Sequence, residues 1–165
     1  MARNDSVRVA AILHRAREEA KTAGSPTVEA EHVLLALAAH KGTEAQRILA
    51  SVGLDHAAIL GALHREFEES LAGAGVSLSA FNLPPASDRR DRIPRWGTSF
   101  KLALQRAPKG GPAGRSWNSR LDATRLLLGI LRARIGTVPR ALSLAGVDRP
   151  ALVGRAEQAL SGGPP

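Results

Sequence analysis

Part of this chain is written twice. Sliding the sequence against itself by 93 residues brings 31–63 onto 124–156 without a gap. Leu34 and Leu35 then fall on Leu127 and Leu128. Arg47, Leu49, Gly53, Asp55, Ala58 and Gly61 fall on Arg140, Leu142, Gly146, Asp148, Ala151 and Gly154. The opening segment recurs at an offset of 91, with Ser6, Val9, Ile12, Leu13 and Ala16 on Gly97, Phe100, Ala103, Leu104 and Ala107. The two extra residues sit in the loop PKGGPAGRSWNS. Such self-similarity constrains the fold strongly, because each copy is a supersecondary block that must bury its apolar face on a neighbour.

The period inside each copy is helical. Val9, Ile12, Leu13, Ala16 and Ala20 predict an amphipathic helix over about 6–22, with Ser6 as its N-cap. Gly24-Ser25-Pro26 ends it. A second helix runs from about His32 to Lys41; it is apolar on nearly all sides and therefore central. Gly42 breaks that helix. Thr43 with Gln46 forms a capping box for a short helix over 44–52. Gly53 ends it, and Asp55 caps a helix over about 56–71 that carries Ile59, Leu60, Leu63 and Phe67. Gly53 and Gly146 suit a helix C′ position, and Pro150 suits a first turn. Residues 72–95 lose the rhythm and read as a linker. The expected architecture is all-α: two tandem four-helix repeats, 6–71 and 96–160, packed with a pseudo-twofold axis as one eight-helix domain across 1–165. Residues 161–165 form a short tail.

Composition narrows the function classes. There is no cysteine, which excludes disulfides, zinc-thiolate sites and a thiol nucleophile. No apolar run approaches the length of a membrane span. The N-terminus has no continuous apolar core and carries Asp5, Glu18 and Glu19, so a cytoplasmic protein is expected. The net charge of +8 is uneven: 1–85 carries −2, 86–125 carries +7 and 126–165 carries +3. Arg89, Arg90, Arg92, Arg95, Lys101, Arg106, Lys109, Arg115, Arg120 and Arg125 make up the middle surplus, and nucleic-acid binding through 86–125 stands as an alternative function. Against it, aromatics are 3% of the chain, Tyr is absent, and Trp96 and Trp117 lie in loop-like contexts. All five histidines fall in the first copy without an HExxH pattern, and there is no G-x-S-x-G elbow. The string KGGPAGRS has Lys109 and Arg115 at the wrong places for a phosphate loop. No catalytic residue, metal or cofactor is expected.

The stretch VEAEHVLLAL, residues 28–37, mixes charge with an apolar run. Glu31 and His32 are neighbours on a helix and point about 100° apart, so they cannot act as one acid–base couple. Glu31 is either a helix-start carboxylate beside the macrodipole or a ligand group; His32 is a packing or supporting residue. The second copy, ATRLLLGI, keeps the apolar half but has Thr124 and Arg125 in place of Glu31 and His32. The fold therefore needs the apolar half twice, while the Glu-His half occurs once and one repeat does without it, which moves Glu31 toward ligand binding.

The strings AEHVLLAL, AQRILASVGLD and ILGAL, with ATRLLLGI, VPRALSLAGVD and LVGRAEQAL in the second copy, resemble the Clp N-terminal repeat over roughly 6–160. Two such repeats form the substrate- and adaptor-receiving domain of Clp-family AAA+ unfoldases, notably the ClpC type; this chain looks like a stand-alone copy without ATPase modules, or a piece of a larger protein. The resemblance implies a non-enzymatic, monomeric protein- or peptide-binding module of the Clp proteolytic system, acting as adaptor, substrate receiver or decoy. Its partners would be Clp unfoldase or protease components and client proteins, with arginine-phosphorylated or cyclic peptides as ligands. In the family a glutamate of the Glu-His motif contacts the guanidinium of phosphoarginine, and a hydroxyl N-cap with its backbone amides contacts the phosphate. Those positions are Ser6 and Glu31 here, with His32 alongside. The second-repeat equivalents are Gly97, with Thr98 adjacent, and Thr124, with Arg125. They lack the carboxylate and the capping hydroxyl, so that site is expected to be degenerate.

Overall fold

The computed structural model describes residues 2–76, 92–109 and 121–162, with side chains from Val9 onward. Among the described residues there are eight helices and two very short strands. The helices are α1 (Ala2–Thr22), α2 (Ala30–Ala39), α3 (Glu44–Ala50), α4 (His56–Gly73), α5 (Thr98–Arg106), α6 (Ala123–Leu131), α7 (Thr137–Leu144) and α8 (Arg149–Ser161). The all-α expectation holds. Most of the expected linker, most of PKGGPAGRSWNS and the end of the tail lie outside the described residues.

Local chemistry sets most helix boundaries. Thr43 Oγ1 accepts from the Gln46 N–H at 3.2 Å and opens α3. Asp55 accepts from Ala58 N–H at 2.7 Å and opens α4. Asp148 does the same for α8 through Ala151 N–H at 3.0 Å. Gly53 and Gly146 end their helices at φ of +74° and +69°, a region that is cheap only for glycine.

Two boundaries differ from expectation. Helix α1 begins at Ala2, so Ser6 lies inside it and is not its N-cap. Residues 2–5 contain no Gly or Pro, so nothing stops the helix from propagating past Ser6, which a helix interior tolerates. The linker also ends early. Arg95–Trp96 forms β2, which pairs in parallel with β1 (Thr27–Val28), matching Thr27 with Arg95 and Val28 with Trp96. This ladder runs directly into α2 on one side and α5 on the other, and so holds their N-termini side by side.

The core is built on α2 and α6. Leu34, Leu37, Leu126, Leu127, Leu128, Ile130 and Leu131 are fully buried. Each such side chain contributes about 1.5–3 kcal/mol by leaving water. Helix α1 packs on α2, and α5 and α8 pack on α6. The halves interlock, because α4 packs on α7 and α3 on α8. Gly129 marks the closest crossing: a Cβ there would collide with the Ala103 backbone carbonyl, so α6 needs glycine to lie against α5.

Candidate ligand site at the α2 and α5 N-termini

The N-cap of α2 is Glu29, not a hydroxyl residue. Three residues on, His32 is buried, and its Nδ1 accepts the Glu29 backbone N–H at 2.9 Å. That bond requires a neutral ring with the proton on Nε2. Burial pushes the His32 pKa down, against the opposing charges of Glu29 and Glu19, and so favours the same neutral form. His32 thus closes one half of a capping box.

The Glu29 side chain reaches across the molecule to α5. Its Oε2 accepts the Ser99 N–H at 2.9 Å and the Ser99 hydroxyl at 2.6 Å. Its Oε1 accepts the Thr27 hydroxyl at 3.0 Å. The Ser99 Oγ in turn accepts the Ala30 N–H at 2.8 Å. The first turns of α2 and α5 are therefore stitched together through one carboxylate and one hydroxyl. Burial raises the Glu29 pKa, but the bonds from Ser99 and Thr27, with His32 nearby, outweigh it and hold the carboxyl below its ordinary value. Gly97, the N-cap of α5, leaves room for this: a Cβ there would overlap the Glu29 carboxylate.

Glu31 sits in the same first turn of α2 in the opposite situation. Among the described residues it has no ion-pair partner. Burial raises its pKa. Its own backbone N–H opposes the rise, and the charges of Glu29 and Glu66 add to it. Glu66 is buried on α4 and satisfied by the Ser70 hydroxyl at 2.7 Å and Arg140 Nε of α7 at 2.7 Å. Glu31 is thus a half-buried carboxylate beside other carboxylates, with no cation to offset it among the described residues. That arrangement favours an incoming cation. Among the described residues no three His, Asp or Glu side chains converge as a metal set.

The residues singled out in the sequence are divided by the structure. Glu29, which His32 caps, meets Ser99 and lies against Gly97, whereas Ser6 is inside α1 and its side chain lies outside the described residues. Gly97 is buried and Thr98 is exposed at the start of α5. Thr124 and Arg125 stand apart, at the start of α6. There Asp122 is the N-cap, accepting Arg125 N–H at 2.8 Å, and its other oxygen pairs with the Arg125 guanidinium. These residues line a pocket of about 350 Å³ together with Thr43 and Arg47 of the α3 start and Leu160 of α8. Sequence reasoning misses Glu29, Ser99, Glu66 and Arg140. The usable signal is an acid three residues before His32, the spacing of an N-cap and its N3 partner.

The basic middle segment is only partly described, since Arg89, Arg90, Arg115 and Arg120 fall outside the described residues. Trp96 is not in a loop. It lies on β2 with its ring 4.8 Å from that of Phe100 and the Arg17 guanidinium 4.5 Å above it, an internal stack. Trp117 lies outside the described residues. No helix is long and apolar enough to cross a membrane among the described residues.

No curated protein matches the chain. The family model of the Clp repeat N-terminal domain matches residues 5–89, just over half of the 165-residue chain and all of α1 to α4 apart from the first residues of α1. On that match, the chain belongs to the Clp repeat N-terminal domain family, which ties it to the Clp system.

Proposed function

We propose that this chain is a non-enzymatic protein-binding module of the Clp proteolytic system, and that Glu31 receives an arginine side chain from a client or adaptor. The observation that carries the proposal is the half-buried Glu31 carboxylate at the start of α2, without an ion-pair partner among the described residues. A guanidinium matches a carboxylate with two parallel hydrogen bonds and is the more weakly hydrated of the two basic side chains, so it is the cation best suited to a partly buried acid. Arg140 on Glu66, joined by an Nε–Oε1 bond at 2.7 Å, is an internal example of an arginine held by a buried acid. The guanidinium half of a phosphoarginine site is what this geometry supports. Residues 1–165 act here as one domain of two repeats, supported by the packing of α4 on α7 and α3 on α8.

Calorimetric titration with a short arginine-bearing peptide tests the proposal. One site is expected, weakened at least about tenfold by Glu31→Gln, as for loss of one charge-assisted pair. A peptide with citrulline in place of arginine should not bind. Equal binding by both peptides, or an affinity indifferent to Glu31, rules the proposal out.

A further inference from the structure

The pocket of about 350 Å³ between the start of α3, the start of α6 and the end of α8 is not lined by Glu31. Its volume lies at the lower end of the range for small-ligand sites, about 300–1,000 Å³. The groups it offers are donors. Thr124 is only 6% exposed, yet its hydroxyl has no hydrogen-bond partner among the described residues. That hydroxyl is not sealed in the core either, so it opens onto the pocket that Thr124 lines. A buried hydroxyl left unpaired is costly unless something outside the chain answers it. At the start of α6, Asp122 accepts the Arg125 N–H at 2.8 Å through its side chain and the Leu126 N–H at 3.0 Å through its carbonyl. The N–H groups of Ala123 and Thr124 are left without a partner among the described residues. Two guanidinium groups complete the set. That of Arg125 pairs with Asp122, and that of Arg47 holds Glu44 at 2.5 Å. The Arg47–Glu44 pair is 65% and 46% exposed, so it is weak and readily exchanged.

We propose that this pocket is a separate binding site that takes one carboxylate of a peptide, either an acidic side chain or a free C-terminus. The internal repeat explains why the charge is arranged so. The shift of 93 residues puts Thr124, Arg125 and Ala159 where the first copy has Glu31, His32 and Glu66. Two carboxylates are gone and one cation is gained. Arg47 stands at the position of Arg140, but the acid that holds Arg140 has become Ala159, so Arg47 turns to Glu44 of its own helix. A ligand carboxylate replaces Glu44 on Arg47 with two parallel hydrogen bonds and gives the Thr124 hydroxyl and the free N–H groups of α6 an acceptor. Asp122 and Glu44 set the limit on charge. They already offset both guanidinium groups, so a singly charged carboxylate is accepted and a doubly charged phosphate is repelled. The site neither uses the Glu31 carboxylate nor depends on it.

The test is an amide chemical-shift titration of the intact labelled chain with three probes: N-acetyl-glutamate-N-methylamide, its glutamine counterpart, and N-acetyl-alanyl-alanine with a free C-terminus. Carboxylate binding should move the amides of Ala123, Thr124 and Arg125, and the glutamine probe should not. The tighter of the two carboxylate probes names the source, side chain or C-terminus. Arg47→Gln, at an exposed position, should weaken that probe at least about fivefold, and Thr124→Val, which removes only the hydroxyl, at least about threefold. The same spectra show that both variants are folded. Equal shifts with the glutamine probe, or no shifts at the start of α6 with either carboxylate, overturn the proposal. So does an affinity indifferent to either substitution, and so does inorganic phosphate binding more tightly than both carboxylates.

Discussion

Glu29 and Glu31 stand two positions apart on one helix turn and have opposite electrostatic circumstances. Glu29 is fully engaged by Ser99 and Thr27, and its pKa falls; Glu31 is half-buried without a cation among the described residues, and its pKa rises. The raised pKa of Glu31 means that its charged form costs stability once the pH has risen through the folded value, while below the ordinary glutamate value of about 4.3 the cost is absent. Glu31→Gln should therefore stabilise the chain by about 0.5–1 kcal/mol at neutral pH and by much less at pH 4. Thermal unfolding of both proteins at the two pH values checks this, and a destabilised variant at pH 7 would contradict it. Glu29 has the opposite sign: its contribution is present above about pH 4.3 and is lost as the pH falls through its lowered folded value. His32, buried and neutral, resists protonation in the fold, so stability also declines as the pH drops below the ordinary histidine value of about 6.5. Replacing His32 with Gln should flatten that upper part of the profile, measured by urea unfolding from pH 7 to 5.

At the scale of the element, the site is a junction between two helix starts, and its strength is measurable as coupling. Glu29→Ala and Ser99→Ala should each cost about 1–2 kcal/mol, as for other lost caps, and the double variant should cost clearly less than the sum. A coupling energy near zero would mean that the bonds at 2.6 and 2.9 Å contribute nothing. Gly97→Ala pushes on the same junction from the other side. Its φ of −81° accepts alanine, so the cost comes from expelling the Glu29 carboxylate, which is the mobile end of a side chain. Gly129→Ala meets a backbone carbonyl, which cannot move aside alone, and should cost more, roughly 2–3 kcal/mol. These elements also show what a sequence can and cannot reveal. The caps at Thr43, Asp55 and Asp148 and the positive-φ glycines at 53 and 146 are legible, because each depends on residues within a turn of itself. Ser6 misleads for the same reason: serine is a good cap anywhere, and only the continued helix from Ala2 cancels it. Glu31 is singled out in the sequence by the contrast between two copies. The Glu29–Ser99 bond spans 70 residues and Arg140–Glu66 spans 74, separations at which no local period or spacing carries a signal.

Across the whole molecule, the halves are interleaved. Helix α4 leans on α7, and Arg140 meets Glu66 between them; α3 leans on α8, where Arg155 bonds the Ser51 hydroxyl at 2.6 Å. A chain so interlocked should unfold in one cooperative step, with circular dichroism and Trp fluorescence transitions coinciding, and residues 1–76 alone should not fold stably. Two separated transitions would contradict that. The same interleaving brings residues from both halves to one candidate ligand site. Glu31 and His32 come from α2, Gly97 and Ser99 from the α5 start, and Glu66 with Arg140 from the α4–α7 contact, while Thr124 and Arg125 lie at a separate pocket. The function proposed for this chain turns on where a guanidinium lands. Amide chemical-shift mapping on the isotopically labelled chain, titrated with N-acetyl-arginine-amide, measures this directly. The perturbed amides should cluster at Glu29–Val33 and Gly97–Phe100, with the Arg140 region following, and should be absent in Glu31→Gln. Shifts centred instead on Thr43, Asp122 and Thr124, or persisting undiminished without the Glu31 carboxylate, would contradict a guanidinium site at Glu31.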